Sequence, residues 1–234
     1  MKSTGWQRML LKDRKLIVTG GPTREWLDPV RFISNPSSGK MGIAIADAGE
    51  KVCREVVFIH GPVHPSLLEE KKYRKVSIES TGDLLEQVIH ELEPGAILVM
   101  AAAPADYTPV EKSHTKMKKK DDELVITLAR TPDILKNVAQ KKDSDENLKD
   151  LIVVGFAAET NDVENYGRKK LQDKKLNMIC VNDVGRKDAG FANDNNQLTI
   201  LVDNGKRIEI PLMEKTSIAT CILEEIDTYL QQKV

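Results

Sequence analysis

Short apolar runs alternate with amphipathic stretches along most of the chain. "KLIVTGG" (Lys15 to Gly21), "EVVFIHG" (Glu55 to Gly61), "AILVMAAA" (Ala96 to Ala103), "LIVVGFA" (Leu151 to Ala157) and "NMICVND" (Asn177 to Asp183) have the length and continuity of buried parallel strands. "KVSIES" (Lys75 to Ser80) and "ELVITLA" (Glu123 to Ala129) read as further strands. Between them lie stretches with helical character. Lys40 to about Lys51 carries small residues at Gly42, Ala44, Ala46 and Ala48, which suit a close-packed helix. Thr81 or Asp83 can cap a helix with Leu84, Leu85, Val88, Ile89 and Leu92 on one face. Thr131-Pro132 predicts a helix start with Pro at the first position, and Asp162 to Leu176 a charged helix. "NQLTILVDNGKRIEIPL" predicts a hairpin turning at Asp203-Asn204-Gly205, and Glu214 to Gln232 a last amphipathic helix.

Strands that alternate with helices predict an α/β fold. The expected form is a doubly wound, mostly parallel, Rossmann-like sheet covered on both faces, closed by a C-terminal β-hairpin and helix. Pro22, Pro29 and Pro36 argue against a helix between Pro22 and Ser38. Ala105 to Asp122 is a long stretch with no apolar period, a length that in compact domains usually marks function or mobility. The organisation expected is an N-terminal extension over 1–14 and one domain over 15–234, with 107–122 as a mobile flap.

Composition narrows the partners. Of 234 residues, 40% are apolar and 30% charged, as in ordinary globular proteins. The 35 basic and 36 acidic residues leave no basic excess of the kind a general nucleic-acid binder shows, although "KMKKK" and "GRKKLQDKK" cluster locally. No apolar run approaches the ~20 residues of a membrane span, and "MKSTGWQRMLLKDRK" lacks a signal-peptide core. Cys53, Cys180 and Cys221 are far apart, which fits a reducing cytosol, so a cytoplasmic location is expected. His60, His64, His90 and His114 are dispersed, so no protein metal site is expected.

In an open parallel sheet, ligands sit at the carboxyl ends of the strands. Four such ends carry unusual loops: Gly20 to Thr23, Ala101 to Asp106, Gly155 to Thr160, and Asn182-Asp183. "NPSSGKMG" (Asn35 to Gly42) adds glycines that admit phosphate to backbone N–H groups, hydroxyls at Ser37 and Ser38, and a helix start. It is neither a Walker A loop, since position 34 is Ser and Met41 follows Lys40, nor G-x-G-x-x-G, since position 37 is Ser. An anion loop and a plain capping turn both fit it. Ala101 to Ala103 leave room for a flat ring, and Asp106 suits either a substrate amide or a turn. Lys116 to Lys120 suit phosphate neutralisation or a solvated loop. Phe156 fits a base pocket or the core. Lys170 and Lys174, one turn apart, fit a polyphosphate or a solvated face.

The combination is more specific than its parts. "VTGGPTREWLDPVRFISNPSSGKMG", "AAAPADY", "KMKK", "GFAAETND" and "CVNDV…GF…DNN" follow in that order, and together they resemble the bacterial phosphopantothenate–cysteine ligase family of coenzyme A biosynthesis. The likeness runs from Lys15 to Tyr229. It implies a C–N-forming ligase that couples 4′-phosphopantothenate to cysteine through an acyl-nucleotide. CTP is the expected co-substrate, with ATP the alternative, and Mg²⁺ the cofactor, bound largely through phosphates. It also implies a homodimer, and the ligase half without the decarboxylase that precedes it in many bacteria.

Site roles follow from the same resemblance. It gives Asn35 the acyl carbonyl and Lys116 the charge developing on the α-phosphate or acyl oxygen. Gly20, Ser37, Gly39 and Gly42 become a triphosphate cradle. Ala101, Ala102 and Asp106 fall in the nucleotide and substrate pocket, Phe156 and Asn182 on the nucleotide, and Lys170 with Lys174 as a cationic pair. Lys118 is the register alternative to Lys116, and Lys169 and Lys175 to that pair. Two other classes compete. One is an NAD(P)-dependent oxidoreductase, against which stands an insertion of about 20 residues between the first strand and helix. The other is a nucleotide-binding module without turnover.

Overall fold

The computed structural model describes residues 10–118, 123–159, 163–183 and 195–233. Its strands are β1 (Lys15–Gly20), β2 (Arg24–Trp26), β3 (Phe32–Ser34), β4 (Glu55–His60), β5 (Arg74–Ser77), β6 (Ile97–Met100), β7 (Tyr107–Pro109), β8 (Leu128–Arg130), β9 (Ile152–Glu159), β10 (Met178–Asp183), β11 (Asn195–Val202) and β12 (Arg207–Glu214). Its helices are α1 (Lys40–Glu50), α2 (Thr81–Glu91), α3 (Ile134–Ser144), α4 (Val163–Asp173) and α5 (Lys215–Gln231).

The central sheet has eight strands in the order β12-β11-β10-β9-β6-β1-β4-β5. From β10 to β5 every pairing is parallel, and the closing hairpin β11–β12 adds antiparallel pairs. This is the doubly wound α/β architecture that the apolar runs predict. Alternate side chains of each strand serve opposite faces. Leu16, Val18, Phe58, Val99, Val154 and Cys180 meet α1 and α5 through Ile43, Ile218, Ile222 and Ile226. Ile17, Val57, Leu98, Val153 and Ile179 meet α2, α3 and α4 through Leu84, Val88, Ile134, Val138 and Leu171. Each such side chain removed from water contributes about 1.5–3 kcal/mol. Leu11, ahead of β1, is fully buried in the first of these layers. Among the described residues no helix is long and apolar enough to cross a membrane.

Several local expectations are corrected. "ELVITLA" is not a core strand. Only Leu128–Arg130 is extended, and β8 pairs with β7 in a separate two-stranded ribbon. With no sheet to cover them, Leu124 and Val125 stay exposed. The cap of α2 is Ser80, one residue before Thr81 and three before Asp83. Its hydroxyl accepts from the Asp83 N–H at 3.1 Å, and the Asp83 carboxylate accepts from the Ser80 N–H at 2.8 Å, a reciprocal capping box. Asp133 caps α3 by accepting from the Lys136 N–H, so Pro132 lies outside the helix rather than at its first position. The Pro22–Ser38 stretch is not helical, as expected, but it folds into the β2–β3 hairpin.

Candidate active site at the strand-order switch

From β1 the chain winds outward through β4 to β5, then returns to place β6 on the other side of β1. Ligand crevices open where strand order reverses in this way, at the carboxyl ends. Here the ends are tied together: the Ala103 N–H donates to the Gly21 carbonyl at 2.9 Å, and the Gly61 N–H to that of Gly20 at 3.0 Å. The Thr23 hydroxyl lies 2.9 Å from that of Thr81 and accepts from the Ala105 N–H at 2.9 Å.

The β2–β3 hairpin carries the chain over this edge and returns it to α1. Gly39 caps α1 in the left-handed region, with φ 74°, and no side chain caps the first turn. A Cβ on Gly39 would lie 2.6 Å from Val63 and 3.2 Å from the Gly21 nitrogen, so glycine alone fits. Gly42 lets α1 lie directly on β1, since a Cβ there would come within 2.8 Å of the Thr19 carbonyl oxygen. The start of α1 therefore faces the cleft with Ser37 and Ser38 beside it, an arrangement suited to an anion.

A cleft of about 310 Å³ opens here. Ser37, Gly39, Ala101, Ala102, Asp106, Phe156, Lys170 and Asn182 all line it. An adjoining cleft of about 570 Å³ shares Ala102, Asp106, Phe156 and Lys170 and adds Arg130, Thr131, the start of α3, and Lys174. Lys170 thus reaches both, whereas Lys169 lines neither, and Lys175 pairs with Asp143 at 2.6 Å. Lys174 is ion-paired to Asp133. Against the desolvation of burial, that ammonium and the Lys136 N–H hold the Asp133 carboxyl below its usual range.

Four expected residues stand off the cleft walls. Gly20 and Gly42 face each other behind the loop and shape it from the rear, Gly20 against the Phe58 ring. Asn35 is exposed, and its amide donates to the Pro104 carbonyl at 2.9 Å, which holds it at the rim. Lys116 is exposed and lines neither cleft. Lys119 and Lys120, the Thr160–Asp162 end of "GFAAETND", and Val184, Gly190, Phe191 and Asp194 lie outside the described residues.

Other site features were not anticipated. Asn196 and Lys215, both buried, line the first cleft. The Asn182 Oδ1 is buried there without a hydrogen-bond partner among the described residues. Asp28, also buried, accepts from the N–H groups of Val30, Arg31 and Met117 and from the Arg31 guanidinium. Arg31 donates in turn to the Met117 carbonyl at 3.0 Å. The hydrogen bonds from the Arg31 side chain do most to push the Asp28 carboxyl far below the usual carboxylate range. "DPVR" carries a local turn signal; nothing in it points to Met117.

Fold and cleft define a doubly wound α/β protein with an anion-compatible crevice at its strand-order switch. Residues 11–230 match the family described as DNA/pantothenate metabolism flavoprotein C-terminal domain, and the chain belongs to that family. It is 42% identical over 223 residues to the coenzyme A biosynthesis bifunctional protein CoaBC of Bacillus subtilis (strain 168), covering 95% of this chain and 53% of that protein. The chain therefore spans about half the length of the curated relatives it matches. The crystal structure of the C-terminal domain of a CoaBC protein superposes with a TM-score of 0.76 at 37% identity, covering 95% of this chain and 98% of that one. A Cab2 variant solved with phosphopantothenate-cysteine shares the fold, with a TM-score of 0.71 at 15% identity over 94% of this chain and 88% of that one.

Proposed function

We propose that the chain is a phosphopantothenate–cysteine ligase that uses CTP. The observation that carries this reading is the convergence of Ser37, Gly39, Ala101, Ala102, Asp106, Phe156, Lys170 and Asn182 on one crevice in a member of this family. A substrate carboxylate oxygen attacks the α-phosphorus of CTP and pyrophosphate leaves. The cysteine amine then attacks the acyl carbon, loses its proton, and releases CMP. The start of α1 with Ser37 holds phosphate, and Phe156 with Ala101 and Ala102 holds the nucleoside. An amide has two N–H donors. One of those of Asn35 goes to Pro104, and the other is the donor for the acyl oxygen. Lys116 reaches the crevice only if its segment closes over the bound substrates, as active-site loops do.

Mg²⁺ would ride on the phosphates. Asp106, a carboxylate on the cleft wall, would lie on the same crevice as the phosphates. We extend the proposal to a homodimer. Its support is the apolar surface on the two small ribbons, where Val30, Phe32, Tyr107, Val110, Leu124, Val125 and Leu128 are exposed. A cytosolic location belongs to the same reading.

The deciding assay is pyrophosphate release with Mg²⁺ and CTP, ATP, UTP or GTP in turn. Release should require phosphopantothenate and be fastest with CTP. Release equally fast without phosphopantothenate would sink the ligase; ATP ahead of CTP would correct the co-substrate only. Sedimentation checks the dimer, and a monomer at assay concentration would remove it.

A further inference from the structure

Lys215 is the first residue of α5, and its side chain is almost wholly buried, with the residue 7% exposed. Both facts are unfavourable for an ammonium. Burial strips its water, and the start of a helix carries partial positive charge. Lys215 nevertheless lines the crevice that also takes the start of α1, where Lys40 is likewise the first helical residue. No side chain caps α5 either. Helices α1 and α5 pack side by side on the same face of the sheet. Two helix starts and two lysines thus converge on one crevice, and an incoming anion would reverse both penalties.

A second feature of the same wall points to a ligand independently. Asn182, 8% exposed, lines the crevice and carries a buried acceptor oxygen that has no partner among the described residues. Such an oxygen calls for an N–H or O–H group of whatever binds. Asn196 lies beside them on β11, where the register with β12 shifts between Asn196 and Leu198. Irregularities of this kind re-aim side chains next to sites. The Asn196 Oδ1 accepts from the N–H of Gln197 at 2.9 Å, which fixes the orientation of its side-chain amide.

We infer that Lys215 is a phosphate-binding residue, donating from its ammonium to a polyphosphate oxygen seated at the start of α1, with Asn182 taking a donor group of the same ligand. Lys215 already interacts within the chain. An ammonium has three N–H donors, so one side chain can keep that partner and hold a phosphate oxygen. The inference rests on reading the crevice as a nucleotide site, and it adds a cation from the far end of the chain to that site.

The test compares Lys215→Met and Lys215→Arg with the wild type by calorimetric titration of inorganic tripolyphosphate, CTP and cytidine. Loss of one charge-assisted bond should weaken tripolyphosphate and CTP by ~10-fold or more in the Met variant. Cytidine should bind as before, and the Arg variant should stay within about 3-fold of wild type. Unchanged tripolyphosphate binding in the Met variant, or equal losses for cytidine and tripolyphosphate, overturns the inference. So does a wild type that binds no tripolyphosphate. If the Met variant does not fold, reductive methylation of the wild type decides. Tripolyphosphate should protect Lys215, and an unprotected Lys215 again overturns the inference. A wild type that binds tripolyphosphate through Lys215 but binds no CTP would remove the nucleotide reading and leave Lys215 as a polyphosphate ligand.

Discussion

The loop entering α1 and the segment after β6 stand on the same edge of the sheet and are held in opposite ways. The first is built onto the backbone of β1 and the residues that follow it. Gly39 sits against Gly21, Gly42 against Thr19, and the Ser34 hydroxyl donates to the Thr23 carbonyl at 2.7 Å. The second, from Tyr107 to Lys118, is largely exposed and contributes only the short ribbon β7–β8. Its clearest tethers reach back to the β2–β3 hairpin: the Ser113 N–H donates to the Leu27 carbonyl at 2.9 Å, and Met117 is clasped by Asp28 and Arg31. Binding groups fixed by packing need no reorganisation when ligand arrives. A reactive group on a tethered segment can arrive afterwards and complete the site.

The harshest way to break this contrast is to loosen the fixed side. Gly42→Ala places a methyl 2.8 Å from the Thr19 carbonyl oxygen and 3.0 Å from the Gly20 Cα, where backbone cannot yield cheaply. Helix α1 must lift. The expected cost is about 1–3 kcal/mol of stability from overpacking. A shift near 1 Å in the loop also predicts ~100-fold lower catalytic efficiency. Denaturant melts and steady-state kinetics on one preparation measure both. Unchanged kinetics would show that the glycine is not what positions the loop.

Loosening the tethered side should cost less and show in a different constant. Asp28→Asn keeps the shape of the side chain but removes the charge that holds Arg31, and with it the grip on Met117 next to Lys116. The expected result is kcat down ~10-fold with KM for nucleotide nearly unchanged, because positioning for chemistry is lost and the cradle is not. A raised KM with normal kcat would mean that the clasp serves binding. Asp28→Glu, which restores charge at the wrong reach, should recover only part of the loss.

The two sides also differ in how far sequence reveals them. Strands β1, β4, β6, β9 and β10 are legible because burial on both faces demands unbroken apolar runs, and their loop-bearing ends locate the crevice. "NPSSGKMG" is legible as a helix start, with Gly39 and Ser37 on the crevice. The Asp28–Met117 clasp joins residues 89 apart, and no periodicity encodes such a pair. Lys215 opens an amphipathic helix, where a lysine ordinarily marks the solvated face, yet it is buried on the crevice wall. "ELVITLA" shows the converse. Its composition suits a core strand, yet the main sheet offers it no neighbour.

Within the cationic pair the same distinction recurs on a smaller scale. Lys170 lines both clefts, whereas Lys174 lines one and is committed to Asp133. Lys170→Met should raise the nucleotide KM ~10-fold, the worth of one charge-assisted hydrogen bond. Lys174→Met should raise it about 3-fold, since Lys174 lines only the second cleft and shares its ammonium with Asp133. Equal effects would mean that the Lys174–Asp133 pair opens when ligand binds.

The smallest effect on activity is expected from a change that costs stability far from both regions, and it calibrates the others. Glu91 is buried at the amino end of the sheet, ion-paired with Lys15 at 2.9 Å and with Arg74. Although burial opposes ionisation, hydrogen bonds from Arg74 and Lys15 bring its carboxyl from 4.5 down to about 2. A carboxylate depressed in the folded state stabilises above its unfolded pKa, and that stability is lost as pH falls through the folded value. The window here is pH 4.5 to about 2, and the contribution roughly 3 kcal/mol. Glu91→Gln should remove about 3 kcal/mol at pH 7, because buried Lys15 keeps only the longer pair to Glu93, at 3.5 Å, and Arg74 loses its buried partner. It should also flatten the loss of stability between pH 4.5 and 2, and leave kcat and KM at 25 °C within about 2-fold of wild type. If Glu91→Gln lowered kcat as Asp28→Asn is expected to, a general loss of stability would account for both. The claim that the clasp acts on the position of Lys116 would then fall.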